Sequence, residues 1–441
     1  MPGRNLNARP KRKSAGGRAQ QMGQIGPGAH RQHNERGGVY LRSDPPRIYS
    51  QKRRSLSPAA IAIIVVIALA LVGAGAYALF GAGFKKQSAR EKNVSIESSA
   101  TTAAAASTKK PAAKSSPAPV RKVRPAVSFA AVGDLCFMDS SHHSLGSAAS
   151  LLSSMQSQLS APDLTIGNLE IALTSAGTPQ DKTYTFRAPP SSAADMAQAG
   201  IDVVSLANNH ALDYGRDQLP GELTALQQAG LVSVGGGLNK QEAWAPKTIE
   251  RNGAKVGFFA FSEITPSEFA ATDTEPGVAY TQDASAMTAA VAAAKASGAY
   301  DYLVVIMHWG IEGDYQENDR QDTEGHALID AGADAVIGSH PHRIQGVEYY
   351  KGKLIAYSLG NFVFGTFKEA SCQTMMLNFK LTDTGVEAVT ATPVYINRGT
   401  PQVATGTRQE KIAAIIKSSS EHCGTQVTFD SNGTATFVKP Q

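Results

Sequence analysis

Acidic residues are almost missing from the first 124 positions of this chain, and that absence divides the molecule into unlike parts. Residues 1–54 hold 13 Lys/Arg against Glu35 and Asp44, a net of +11; residues 84–124 hold ten against Glu91 and Glu97, a net of +8. Charge of either sign is missing between them. The remainder, 125–441, has 19 basic and 33 acidic residues, a net of −14. The high isoelectric point thus belongs to the tails and makes no case for a nucleic-acid partner. Residues 1–54 also have few apolar residues. That excludes a buried core and predicts a disordered basic tail. Cysteine is scarce: Cys136, Cys372 and Cys423 are the whole set. Internal repeats are lacking.

What is present starts with one long apolar run, Ala59–Gly83, which is uncharged over 25 residues. At about 1.5 Å per residue it is long enough to cross a hydrocarbon core about 30 Å thick. Lys52-Arg53-Arg54 precedes it and Lys85-Lys86 follows, a bias that places the amino terminus in the cytoplasm and the rest outside. Ala76-Tyr77-Ala78 resembles a signal-peptide cleavage site. However, the run exceeds a typical signal core and 58 residues precede it, so an uncleaved anchor over 55–84 is expected. Residues 85–125, rich in Ala, Ser, Thr, Lys and Pro, read as an extended extracytoplasmic stalk. Residues 126–441 are long enough for one large core.

Within that domain, β-type runs alternate with helical spacing: Val127–Val132, Leu145–Leu159, Asp163–Ile166, Ser192–Ala199, Asp202–Leu206, Gln218–Ala229 and Leu231–Val234. Such alternation predicts parallel strands. Asn252-Gly253 then predicts an antiparallel hairpin. Ala284–Ala296 and Asp322–Ala331 read as helices, and Tyr302–Met307 and Asp334–Ile337 as buried strands. Val347–Tyr349 and Leu354–Ser358 flank Lys351-Gly352. Met375–Leu381 and Val386–Ile396 alternate as strands, and Gln409–Ser418 as a helix. The expected fold is α/β with α+β character: two packed sheets with helices outside.

Six polar strings fall at strand ends: Gly133-Asp134, Asn168-Leu169-Glu170, Asn208-Asn209-His210, His308-Trp309-Gly310, His340-Pro341-His342 and Ser358-Leu359-Gly360-Asn361. Open α/β sheets build ligand sites at such ends. Taken singly, an Asp after a strand forms a turn and an Asn-His caps a helix. Taken together, carboxylates, amide oxygens and imidazoles make a donor set for one or two divalent ions, Mn, Zn, Fe or Mg. His142-His143 reads as a solvated loop, and His30, His33, His326 and His422 as structural or solvated.

This constellation resembles the CapA (poly-γ-glutamate capsule synthesis) family, whose fold is that of the calcineurin-like metallophosphoesterases. The match runs over about 127–365, leaving 366–441 as carboxyl-terminal strands and helix. It rests on Ala131-Val-Gly-Asp134, Gly167-Asn-Leu-Glu170, Leu206-Ala-Asn-Asn-His-Ala-Leu-Asp-Tyr-Gly215, His308-Trp-Gly-Ile-Glu312, Gly338-Ser-His-Pro-His342 and Tyr357-Ser-Leu-Gly-Asn-Phe362. The resemblance implies a four-layer αββα sandwich. It implies that Asp134 and His342 bind a first metal, Asn209, His308 and His340 a second, and that Glu170 stands in for the bridging carboxylate. His210 would be the proton donor or transition-state stabiliser. Asn208, Trp309, Glu312 and Asn361 would lie behind the ligands or face substrate. Two departures stand out: Cys136 replaces the histidine of the superfamily's first string, and Glu170 is longer than the usual Asp.

Three functional readings follow. The first is an anchored metallohydrolase of the phosphoesterase type in capsule or envelope polymer assembly. The second is a non-catalytic member of a capsule or polyglutamate synthetase complex that binds anionic polymer. The third is an extracytoplasmic binding domain. The cysteines carry a further expectation: Cys136 buried and free beside the site, and a Cys372–Cys423 bridge, weighed evenly against three free thiols.

Overall fold

A computed structural model describes residues 123–366 and 368–440, which fall within one compact unit, Lys114–Gln441. The expected tail and apolar run, and nearly all of the stalk, lie outside the described residues. Among the described residues no helix is long and apolar enough to cross a membrane.

The chain first lays down four parallel strands: β1 (Val127–Asp139), β2 (Leu164–Leu169), β3 (Val203–Ser205) and β4 (Val232–Val234). Helices connect them: α1 (Ala148–Leu152), α2 (Ser192–Ala199) and α3 (Leu219–Gln228). It then builds a second sheet of six strands in the order β9-β10-β8-β7-β6-β5. These are β5 (Lys247–Arg251), β6 (Ala254–Ser262), β7 (Tyr302–His308), β8 (Ala335–Ser339), β9 (Val347–Tyr350) and β10 (Lys353–Ala356). Helices α4 (Ala284–Ala296) and α5 (Asp319–Asp330) lie between β6 and β7 and between β7 and β8. Finally it returns to the first sheet with β11 (Asn361–Gly365), parallel to β1, and β12 (Gln373–Thr382) and β13 (Gly385–Asn397), both in antiparallel pairing.

Both predicted hairpin turns form, each from two consecutive left-handed residues: Asn252 and Gly253 at φ 54° and 80°, Lys351 and Gly352 at φ 50° and 73°. The helix expected over Leu145–Leu159 is broken instead into α1, a 3₁₀ turn at Ser153–Met155 and a short helix at Gln156–Leu159. There Ser153 Oγ donates to the Ser150 carbonyl and Ser154 Oγ to that of Pro401, side-chain bonds that compete with the helical ladder. Helix α5 starts three residues earlier than its apolar pattern suggested, because Asn318 and Gln321 close a capping box.

Strand alternation divides the core. Phe129, Ala131 and Ile166 from the first sheet meet Phe258, Val304, Ile306 and Ile337 from the second in one shared interior. The opposite faces, with Ala130, Val132 and Val204 on one sheet and Leu303, Val305 and Val336 on the other, are covered by helices. Both sheets are therefore buried on two sides, which explains their nearly continuous apolar runs.

The bridge between Cys372 and Cys423 is not formed: all three cysteines are free. Cys372 belongs to the interior between the sheets, with its Sγ at the Thr366 carbonyl. Cys423 packs with the helix-covered outer cluster of the second sheet and donates to Glu317. Different layers claim the two thiols. Cys136 is free and fully buried, as its position implied.

Candidate metal centre

Most site residues stand at or just beyond the carboxyl ends of parallel strands, while Asp134 lies within β1 and Asn361 opens β11. On β1, pairing with β2 shifts register between Ala131 and Asp134, a bulge that re-aims Asp134. Gly133 makes the next approach possible: a Cβ there would lie 1.8 Å from the Gly360 carbonyl oxygen. Asp134 consequently pairs with Asn168 of β2 on one side and with Asn361 of β11 on the other. Glu170 follows β2, and Asn208, Asn209 and His210 follow β3. From the second sheet, His308 ends β7 opposite Ser339 of β8, and His340 and His342 come next. Both histidines hold positive φ, 96° and 53°, a strained backbone for residues with side chains.

Asp134, Glu170 and His342 bring ligand atoms within 4.8 Å of one another. His342 Nδ1 lies 3.1 Å from Asp134 Oδ2, and its Nε2 lies 3.7 Å from Glu170 Oε1. Asn361 Oδ1 accepts from His342 Nδ1 at 2.8 Å, while its amide nitrogen donates to the Ser371 carbonyl. Beside this group, His308 Nε2 stands 2.9 Å from Asn209 Oδ1, and the His308 and His340 rings are 4.7 Å apart. The structure thus brings all seven proposed metal-ligand and proton-transfer residues into one region.

The electrostatics show a site short of positive charge. Burial, then the neighbouring Asp134, pushes the Glu170 carboxyl well above the ordinary range. Burial lowers His308 well below a free imidazole and His340 to about 3, so both rings are neutral donors. His342 is the exception: burial opposes its charge, but Asp134 prevails and raises it. Glu170 Oε1 and His340 Nδ1 are buried without hydrogen-bond partners, and Asp134 Oδ2 is buried with only the His342 ring, 3.1 Å away, to meet it. Orphaned buried oxygens of this kind carry a large desolvation cost unless a cation meets them. The donor set therefore fits a divalent ion. A second trio, Asp322, His326 and Glu348, also has ligand atoms within 4.8 Å. There, however, His326 Nε2 is 2.9 and 3.0 Å from the two Glu348 oxygens, and the Tyr357 hydroxyl donates to Glu348 at 2.7 Å. The Glu348 oxygens there already have protein partners.

Other expected residues divide. Asn208 is buried and donates to Asn168 and to the Leu169 carbonyl. Glu312 is exposed, with its charge acting on Glu170 and His342. Trp309 departs from expectation: it is fully buried on the helix-covered face, donating to the Tyr357 carbonyl at 2.8 Å. Its place after His308 turns it to the opposite side of the strand. Cys136 remains a thiol, its pKa raised by burial first and by the surrounding carboxylates.

Sequence reasoning passed over Asp213 and Lys182. Asp213 Oδ2 lies 2.6 Å from His210 Nδ1 and also accepts from the Phe186 amide at 2.7 Å. Lys182 Nζ donates to Asp213 Oδ1 at 2.5 Å and to the Asn209 carbonyl. The i, i+3 spacing of His210 and Asp213 was a readable signal. Lys182 arrives on an irregular loop and offered none.

Residues 128–366 match the family described as bacterial capsule synthesis protein PGA_cap. The chain belongs to this CapA-type family. It is 32% identical over 227 residues to the capsule biosynthesis protein CapA of Bacillus anthracis, covering 51% of this chain and 55% of that one. It is 32% identical over 244 residues to the PGA biosynthesis protein CapA of Bacillus subtilis, covering 55% and 63%. The chain thus spans little more than half the length of these relatives. Among solved structures, it is similar to the sulfate thiohydrolase SoxB of Thermus thermophilus, with a TM-score of 0.35 and 14% identity over 63% of this chain and 46% of that one.

Proposed function

We propose that this chain is a metal-dependent hydrolase of the phosphoesterase type, with the four-layer sandwich of that superfamily, acting in capsule, poly-γ-glutamate or envelope polymer synthesis. The observation that carries the reading is the convergence of two buried carboxylate oxygens, Asp134 Oδ2 and Glu170 Oε1, that share only the His342 ring between them, with the neutral imidazoles of His308 and His340. The biological setting comes from the family, whose Bacillus relatives are named for capsule and PGA biosynthesis. In this reading residues 55–84 anchor the chain, 85–125 space it from the membrane, and the domain works outside, beside a polymer synthetase complex and its anionic product.

Asp134, Glu170 and His342 would hold one divalent ion, and Asn209, His308 and His340 another. A bound ion supplies Lewis-acid charge to a phosphoryl oxygen and acidifies water. The chain's own part in proton transfer falls to His210. Its Nδ1 donates to Asp213, so the neutral ring presents the Nε2 lone pair, 3.9 Å from Glu170 Oε1. Burial lowers the His210 pKa, which keeps that lone pair free at neutral pH. Asp213 would then steady the imidazolium formed when Nε2 takes a proton from the attacking water, and that imidazolium is the form that returns the proton to the leaving oxygen as the expected donor. Lys182 and the Phe186 amide fix Asp213 in turn.

Metal content and turnover of a phosphoester panel, measured on the purified full chain, test this. Asp134→Ala, Asn209→Ala and His340→Ala should each lower bound metal. His210→Ala should spare it and cut turnover about 10²- to 10⁴-fold. Metal loss in His210→Ala, or unchanged metal in the other three, overturns the roles.

A further inference from the structure

The two halves of the centre are unequal, and one amide lies between them. The His210 backbone N–H donates to Asn208 Oδ1 at 3.0 Å, so the Asn208 nitrogen is the end that reaches the Leu169 carbonyl at 2.8 Å and Asn168 Oδ1 at 3.1 Å. That fixes Asn168 in turn. Its oxygen is engaged by Asn208, and its nitrogen faces Asp134 Oδ1 at 2.9 Å and Glu170 Oε2 at 3.1 Å. An amide nitrogen has two hydrogens, and the two carboxylates take both. The 3.4 Å approach of the same nitrogen to His308 Nδ1 is left without a hydrogen. His308 Nδ1 instead donates to Ser339 Oγ at 3.0 Å, because the Ser339 hydroxyl hydrogen goes to the Met307 carbonyl. Asn168 is 2% exposed, held in this orientation from every side.

N–H groups therefore occupy the place between the carboxylate half, Asp134, Glu170 and His342, and the imidazole half, Asn209, His308 and His340. An N–H donor cannot ligate a cation. Both carboxylates lie in the first half, whereas the second offers an amide oxygen and two imidazoles, which ligate as neutral groups. We propose that Asn168 makes this a centre of two unlike affinities: one divalent ion held tightly by the carboxylate half, a second held weakly by the neutral half, with no side-chain oxygen of Asn168 joining them. The inference rests on the metal-centre reading above. Oxygen-rich and nitrogen-rich halves also differ in kind, the first suiting Mg or Mn and the second Zn or Fe.

Replacing the amide by a carboxylate tests this. The metal-stripped full chain, purified in detergent, is titrated with Mn²⁺ and followed by metal analysis and electron paramagnetic resonance. Wild type should bind one ion tightly, with the hyperfine pattern of an isolated ion, and a second about 10- to 100-fold more weakly. Asn168→Asp should tighten the second ion by a similar factor and give the spectrum of an exchange-coupled pair. Without metal, Asn168→Asp sets a third carboxylate against Asp134 and Glu170, so its melting temperature should drop and recover when Mn²⁺ is added. Two ions of equal affinity in wild type, or a coupled spectrum there, overturn the inference and leave the metal-centre reading intact. That wild-type result decides the matter even if Asn168→Asp fails to fold. An unchanged second affinity in a folded Asn168→Asp also overturns it. No bound Mn²⁺ in either protein defeats the metal-centre reading itself.

Discussion

Glu222 shows what burial does to one residue when no opposite charge meets it. It sits on α3, 2% exposed, with Oε1 unpartnered. Burial raises its pKa from 4.5 to about 8, against a smaller opposing effect from the Leu173 backbone. The folded protein therefore binds more protons than the unfolded chain between those two values, so stability falls as pH rises across that window. The loss is complete above pH 8 and amounts to a few kcal/mol, since each tenfold difference in proton affinity between the two states is worth about 1.4 kcal/mol. Glu222→Gln should abolish most of the difference between denaturant midpoints at pH 6 and pH 9. An equal pH dependence in the two proteins would show that Glu222 does not carry it. At this scale the site was half legible. Asp134, Asn209, His210, His308, His340 and His342 were readable because each closes or follows an apolar run of β type. Lys182 was not assigned, since its partners are fixed by a loop crossing rather than by any period, and Asp213 was passed over although it stands three residues from His210.

At the scale of elements, the approach of β1 to the segment before β11 is the most constrained contact near the centre. Gly133→Ala would place its Cβ 1.8 Å from a backbone oxygen that cannot rotate away. We expect a loss of about 3 kcal/mol or more, or insoluble protein, together with lowered metal content. Gly221 provides the contrast. It lies within α3 with nothing within 4 Å of an added Cβ, so Gly221→Ala should stabilise by about 0.5–1 kcal/mol. Thermal melts of the two variants compare them directly. The hairpins at Asn252-Gly253 and Lys351-Gly352 were legible because two left-handed residues in succession demand such dipeptides. The broken α1 region was not. Its apolar spacing is helical, and only the surroundings show that its serines prefer other partners.

For the whole molecule, the point where the chain joins the domain and the metal centre lie at opposite strand ends. Arg124 donates to the Asp301 carbonyl at 2.7 Å, lies 3.7 Å from Asp334 and covers the Tyr302 ring. Asp301 and Asp334 precede β7 and β8, whereas His308 and His340 stand at or beyond the far ends of those strands. A stalk arriving at Arg124 would hold the centre away from its attachment point. If residues 55–84 anchor the chain as proposed, protease added to intact cells should cut within Gln87–Pro125 and release a folded domain that keeps its metal. A reporter fused after Gln441 should be active only outside the cytoplasm. Protection of the domain while an amino-terminal tag is digested would reverse the orientation.

The sequence by itself determined the charge partition, the run long enough to span a membrane, the alternation of strands and helices, both hairpins and the strand-end positions of the candidate ligands. These are local properties, written in periods of two and 3.6 residues and in turn dipeptides. Only the tertiary structure decided that Trp309 faces the helices, that Cys372 and Cys423 lie in different layers, that Asp213 holds His210, and that the Asn168 nitrogen points at two carboxylates. Each of those depends on which strand ends converge and on which hydrogens are already engaged. Most such contacts arise between residues tens to hundreds of positions apart, where no local pattern records them; the His210–Asp213 and Asn168–Glu170 contacts are short in sequence, and partners from distant segments set their orientation.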